Sequence, residues 1–250
     1  MEDQAPTPLY CVNCEQSITG GHKFCAACGT PQNLEEITVH SKKWSQLQGI
    51  GLFFVLEIII CATALMVEKQ TMEILFYFQA LAAITTLFFV GSDWGNIRYL
   101  LRWKSFSFWK LSACIVLAVL CSLIVQVLVF YLNKMVSPEQ SDNYTLYQNH
   151  PYGNYLMVLS IAVFPAIFEE LAYRGYLMQK LLNVVDRKEA IYISAILFFL
   201  IHFSLVSFFW LLPFAVLLAY IRIKENTLWY GIVIHFTFNL TSCLVDILYP

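Results

Sequence analysis

The chain has 250 residues, 59% of them hydrophobic and 13% charged, with a formal net charge of -2 at pH 7. Soluble domains carry about 25% charged residues. This composition, with a mean hydropathy of +0.63, therefore excludes an ordinary water-soluble globule and indicates a polytopic membrane protein. No basic cluster with interleaved aromatics suggests a nucleic-acid groove, and residues 1–46 are too polar to hold the apolar core of a secretory signal.

The first pattern is Cys11-Val-Asn-Cys14, then ten residues, then Cys25-Ala-Ala-Cys28. Each knuckle offers two thiolates at a spacing that grips one metal ion, and two knuckles complete a tetrahedral four-sulfur site for structural Zn2+. Gly20-Gly21 and Gly29 supply turns between and after the knuckles. So few residues cannot build a core, so the metal is expected to hold the fold. Two disulfides are the competing arrangement. Reduced thiolates place this end in the cytoplasm. His22 is a spare ligand for a site that four cysteines already fill, and His40 has no evident role. The segment resembles the small zinc ribbons at the N-terminus of bacterial membrane proteins, with a protein partner, metal sensing or a plain folded cap as its alternative uses. Cys61, Cys114, Cys121 and Cys243 are scattered through apolar segments and read as small buried hydrophobes.

The expected organisation is a ribbon at 1–30, a polar linker at 31–46 and a transmembrane domain at 47–250. Lys42, Lys43 and Trp44 mark the membrane entry. Apolar spans follow at about 50–67 (interrupted by Glu57), 74–90, 111–132, 155–178 and 228–248. Each is close to the roughly 20 residues a helix needs to cross. Residues 190–221 contain no charge apart from what His202 can carry. As one helix they would be about 48 Å long, too much for a core of about 30 Å, so a fold-back is expected at Ser204–Ser207. The fold class is thus all-α, with about seven transmembrane helices after a four-cysteine ribbon. With the N-terminus inside, twelve Lys and Arg fall in inner segments and two, Lys69 and Lys134, in outer loops. That is the positive-inside asymmetry, and it puts the protein in an inner (plasma) membrane if the source is bacterial.

The span at 155–178 contains Pro165-Ala-Ile-Phe-Glu169-Glu170-Leu-Ala-Tyr-Arg174-Gly175-Tyr176. A charge at the bilayer centre costs at least ~2.5 kcal/mol on insertion scales. Glu170 and Arg174 are four apart, share a helix face and can neutralise each other. Glu169 points about 100° away and is left over for chemistry. Pro165, four residues earlier, removes a backbone hydrogen bond and opens room for water. Two further pairs lie in later spans, Phe198 with His202 and His235 with Asn239, each four apart. Singly, each reads as packing glue between helices. Convergent ionisable groups at membrane depth are a functional site by default. Counted along the helices, Glu169 and His235 lie at similar depth, whereas His202 falls too far out.

The order EExxxR, FxxxH and HxxxN on successive apolar segments resembles the CPBP (Abi) family of intramembrane proteases, which includes the CAAX prenyl endopeptidases. The flanks Phe168–Leu177, Ser194–His202 and Asn226–Asn239 carry the resemblance, which covers about residues 155–245. It implies hydrolysis of a peptide bond in a membrane-associated peptide or protein, with Glu169, Glu170, Arg174, His202, His235 and Asn239 as site residues. Two mechanisms are open. In one, Glu169 activates water with help from His202, and His235 with Asn239 forms an oxyanion hole. In the other, His202, His235 and a carboxylate or Asn239 hold a catalytic Zn2+. HExxH is missing, which favours the metal-free version. The competing classes are a non-enzymatic scaffold or immunity protein, and a transporter, which would show paired broken spans in two related halves.

Overall fold

The computed structural model describes residues 9–11, 13–18, 24–30, 34–103, 106–136, 143–205 and 207–249, with side chains left out at 9, 34–40, 133, 135, 136 and 143. The chain divides into two compact units, residues 1–49 and 50–250.

In the first unit, strands β1 (Leu9–Tyr10) and β2 (Ser17–Ile18) pair antiparallel, Leu9 opposite Ile18 and Tyr10 opposite Ser17. Between them the first knuckle turns on itself, with Cys11 N–H donating to the Gln16 carbonyl and Glu15 N–H to the Cys11 carbonyl, both at 2.9 Å. The second knuckle repeats the turn, Gly29 N–H donating to the Cys25 carbonyl at 2.8 Å. Gly29 has φ +73 there, a left-handed conformation that glycine adopts without strain. Gly20-Gly21 and His22 lie outside the described residues. The segment expected as a polar linker is helical from Leu34 onward. No proline or glycine interrupts residues 34–48.

Seven long helices are seen among the described residues: α1 (Leu34–Met66), α2 (Met72–Ser92), α3 (Phe108–Val136), α4 (Gly153–Leu181), α5 (Arg187–Leu200), α6 (Phe208–Glu225) and α7 (Trp229–Leu248). Five of them, α1 from Ser41, α2, α3 to Leu132, α4 and α7, are long and apolar enough to cross a membrane. Residues 190–221 do fold back. At 14 residues α5 is about 21 Å long, short of a bilayer core, and α6 packs back against it. The turn uses Phe203 in a left-handed conformation (φ 48) and a 2.9 Å contact from Ser207 Oγ to Ser204 Oγ. A capping box starts α5, Asp186 accepting from Glu189 N–H while the Glu189 side chain accepts from Asp186 N–H. Asn226 (φ 51) ends α6 in the left-handed cap position.

The segments expected on the inner side gather at one end of the second unit. Lys180 Nζ lies 3.2 Å from Asp93 Oδ2, and Lys110 Nζ lies 2.9 Å from Glu225 Oε2. Leu228 N–H and the Thr227 hydroxyl both donate to the Leu100 carbonyl at 3.0 Å. The Trp229 indole donates to the Leu101 carbonyl at 2.8 Å and stacks on Trp103. These bonds pin the start of α7, so that His235 stands at a fixed height two turns along. At the opposite end Tyr147 is fully buried beside Met72, Leu75 and Ile247. The outer faces are apolar throughout, as with Phe88, Trp109 and Ile124, which is what hydrocarbon accepts and water does not. Of the scattered cysteines Cys243 is buried, while Cys61, Cys114 and Cys121 are half-buried.

Candidate active site

α4 is irregular where the motif lies. It is π-helical over Leu159–Val163, α-helical over Phe164–Glu169 and π-helical again over Glu170–Leu177. Pro165 explains the first irregularity. Phe164 N–H donates to the Leu159 carbonyl and Pro165 has no N–H, so the Ser160 carbonyl has no backbone donor in either register. The Gln79 side chain of α2 donates to it at 2.7 Å. The Ile161 carbonyl, four residues before Pro165, receives the Asn239 side-chain amide of α7 at 2.8 Å. The second π segment likewise diverts Met178 N–H to the Tyr173 carbonyl, and Arg222 Nε donates to the Arg174 carbonyl at 3.0 Å. Single-turn π segments are frequent at functional sites because they re-aim side chains at the expense of regular bonding.

Glu170 and Arg174 are both fully buried, and Arg174 Nη1 donates to Glu170 Oε1 at 3.0 Å. The other guanidinium arm, Nη2, donates to the Ala215 carbonyl of α6 at 3.1 Å. The face of the guanidinium lies 4.5 Å from the Phe198 ring centroid, a cation–π contact that is stronger where water is excluded. His235 Nδ1 is 3.1 Å from the same Glu170 Oε1. A carboxylate paired with arginine only accepts, so Nδ1 carries the proton there. That orientation turns His235 Nε2 toward Glu169, whose Oε2 is 3.8 Å away. Gly231, one turn before His235, lets α7 approach, since a Cβ there would lie 2.9 Å from Glu170 Oε2.

His202 stands just past the end of α5. Its Nδ1 is 2.8 Å from the Phe198 carbonyl, which fixes the proton on Nδ1 and leaves the Nε2 lone pair free. The reckoning along the helix put His202 too far out. In the structure α5 stops at Leu200 rather than crossing, and Phe198 links the two imidazoles, its ring centroid 4.8 Å from His202 and 6.2 Å from His235. Glu169, His202, His235 and Asn239 all line one cavity of about 400 Å³. Tyr147 closes another wall, its hydroxyl 2.6 Å from Ser160 Oγ. Burial holds the Tyr147 phenol above its ordinary pKa, so it stays a neutral hydrogen-bonding group.

In the sequence Phe198 is the first position of FxxxH and Arg222 is one of the inner-segment charges. Phe198 is the packing centre between Arg174 and both histidines, and Arg222 is buried in the last turn of α6. Gln79 was not singled out, although an amide inside an apolar span was the signal.

In the first unit the Sγ atoms of Cys11, Cys14, Cys25 and Cys28 lie within 4.8 Å of one another. Cys11 and Cys28 are 3.5 Å apart, and Cys14 and Cys25 3.7 Å, too far for a disulfide bond. A tetrahedral zinc with bonds of about 2.3 Å has sulfur–sulfur edges of about 3.8 Å, so these four residues fit one ion. Among the described residues no other three Cys, His, Asp or Glu ligand atoms converge in this way. The ligand atoms of His202, His235 and Glu169 are not drawn together this closely.

The helices define an integral membrane protein with a carboxylate, two imidazoles and an amide lining one cavity. Residues 151–241, a little over a third of the chain, match the family described as type II CAAX prenyl endopeptidase Rce1-like. The cysteine cluster and α1 to α3 lie outside the match. No curated protein and no solved structure matches the chain.

Proposed function

We propose that the domain hydrolyses peptide bonds with a water activated by Glu169, without a catalytic metal. The observation that carries this reading is the pair Glu169 Oε2 and His235 Nε2, 3.8 Å apart on one cavity with His202. Glu169 takes a proton from water while the Nε2 lone pair of His202 accepts the water's other hydrogen. The water oxygen attacks the scissile carbonyl carbon. The resulting oxyanion faces the Nε2 edge of His235, which Glu170 holds through Nδ1. The second N–H of the Asn239 amide completes the oxyanion site, the first being bound to the Ile161 carbonyl. As the intermediate collapses, Glu169 returns its proton to the departing amine. General-base action of this kind contributes about 10²–10⁴-fold, and a lost oxyanion donor about 10²–10³-fold. Glu170 and Arg174 position His235.

The substrate is a peptide or protein reaching the site from the bilayer or its surface. We read the chain as a ribbon at 1–30, a connecting segment at 31–46 and a transmembrane domain at 47–250 with its catalytic core at about 155–245. The charge asymmetry of the loops supports a cytoplasmic N-terminus, and the ribbon supports a bacterial inner membrane. The ribbon binds structural Zn2+ and serves as a docking point for a protein partner. A packing-only scaffold draws on the same bonds, since Asn239 donates to Ile161 and Glu170 binds Arg174.

The test uses purified full-length protein, a peptide library read by mass spectrometry, and a strong chelator. Cleavage that persists when residues 11–28 have lost their metal supports this mechanism. Chelator-sensitive cleavage that survives deletion of residues 1–30 without becoming chelator-resistant would place a metal at His202 and His235 instead. Full biological function with Glu169→Gln would favour the scaffold.

A further inference from the structure

Glu169 also borders a second cavity, of about 170 Å³, on the side of α4 that faces α1 and α2. Its walls are mainly apolar, with Ile60, Phe78, Ala83 and Phe168 among them. Six lining residues have other chemistry: Glu57 and Cys61 of α1, Gln79 and Thr86 of α2, and Glu169 and Tyr173 of α4. Glu57 is 5% exposed and its Oε1 atom is buried without a hydrogen-bond partner. Tyr173 is fully buried and its hydroxyl has none either. Native proteins leave few such atoms, because each unpaired one costs about 1–3 kcal/mol. None of the lining residues is a lysine, arginine or histidine. Nothing in the chemistry described above uses Glu57, and α1 lies outside the family match.

Three residues whose side-chain oxygens lack partners, Glu57, Gln79 and Tyr173, therefore line an apolar-walled space beside the reacting carboxylate. The occupant that satisfies them has a flexible apolar stem and a terminal group rich in N–H and positive charge. Stem and walls then share hydrocarbon contact while the tip meets the carboxyl groups, as lysine and arginine do when they snorkel.

Resting on the protease reading, we propose that this cavity is a specificity subsite that takes a lysine or arginine side chain of the substrate next to the scissile bond, with Glu57 and Tyr173 receiving its cationic tip. The geometry favours a substrate side chain over a lipid amine headgroup, because Glu169 is shared with the catalytic cavity. A peptide laid across Glu169 has its carbonyl on one side and a neighbouring side chain on the other.

Two measurements on full-length protein in phosphatidylcholine nanodiscs test this. The first uses Cys61, which lines the cavity, and needs no turnover. Modification of Cys61 by 2-aminoethyl methanethiosulfonate and by its anionic 2-sulfonatoethyl counterpart is followed by mass spectrometry. The cationic reagent should react at least about tenfold faster, and Glu57→Gln should bring the ratio close to one. Lysine-containing peptides should protect Cys61, and the same peptides with norleucine should not. The second is the ratio of cleavage rates for lysine and norleucine at each position beside the cut. It should exceed about tenfold at one position in wild type and approach one in Glu57→Gln, because a buried site built to pair a donor rejects the analogue that lacks it. Equal reagent rates in wild type overturn the proposal, as does protection by phosphatidylethanolamine but not by lysine peptides, or an unchanged lysine ratio in Glu57→Gln. If no peptide is cleaved, the Cys61 measurements still decide whether the cavity takes a lysine side chain.

Discussion

The Asn239 amide donates at 2.8 Å to the carbonyl of Ile161, the residue whose α-helical donor would have been the N–H that Pro165 lacks. Gln79 does the same for Ser160 one residue earlier. Within a membrane an unsatisfied carbonyl has no water to turn to, so Pro165, Gln79 and Asn239 act as a set. Asn239→Leu should lower unfolding stability by about 1–2 kcal/mol, besides its loss of activity. Gln79→Leu should match the stability loss. Chemical denaturation in detergent, followed by tryptophan fluorescence, measures both.

Pro165→Ala restores the missing N–H and lets α4 relax toward regular α-helix. The change turns Glu169 away from His235. Stability should hold or rise, while cleavage falls at least about tenfold, as a misplacement near 1 Å can cost about 10²-fold. A variant as active as wild type would mean that the π segment has no part in aiming Glu169.

Breaking the Glu170–Arg174 pair should be far more damaging than altering Glu169. Removing one partner of a buried pair costs about 3–5 kcal/mol because the other charge is stranded. Arg174→Ala should therefore fail to accumulate as folded protein. Arg174→Lys should be intermediate, since one ammonium cannot reproduce the fork that spans Glu170 Oε1 and the Ala215 carbonyl. Yield of monodisperse protein and the thermal midpoint provide the readout.

Gly231→Ala places a methyl 2.9 Å from Glu170 Oε2. The carboxylate cannot simply swing aside, because Oε1 is held by both Arg174 and His235. The variant should lose about 1–3 kcal/mol through overpacking and lose cleavage along with the His235 orientation.

The sequence was most legible where spacing alone carries the chemistry. Two CxxC knuckles implied one four-sulfur site, and the four sulfurs do gather. The uncharged run at 190–221 implied a hairpin, and α5 and α6 do pack against each other. Register was less legible. A spacing of four implied that Glu170 and Arg174 meet, which they do at 3.0 Å, but on a π-helical stretch rather than an α-helical one. Depth counted along the helices set His202 apart from His235, yet both line one cavity because Phe198 lies between them. Glu57 was visible only as an interruption. That it shares a cavity with Glu169 depends on how α1 packs against α4, which no pattern within either helix encodes.

The most direct measurement is the single-turnover cleavage rate of a peptide substrate by wild type and by Glu169→Gln, with matched thermal midpoints confirming that both are folded. Gln keeps the shape and hydrogen bonding of the side chain but cannot take the proton from water. The account predicts a loss of about 10²–10⁴-fold. A Glu169→Gln rate within a few-fold of wild type would contradict it and remove Glu169 from the chemistry.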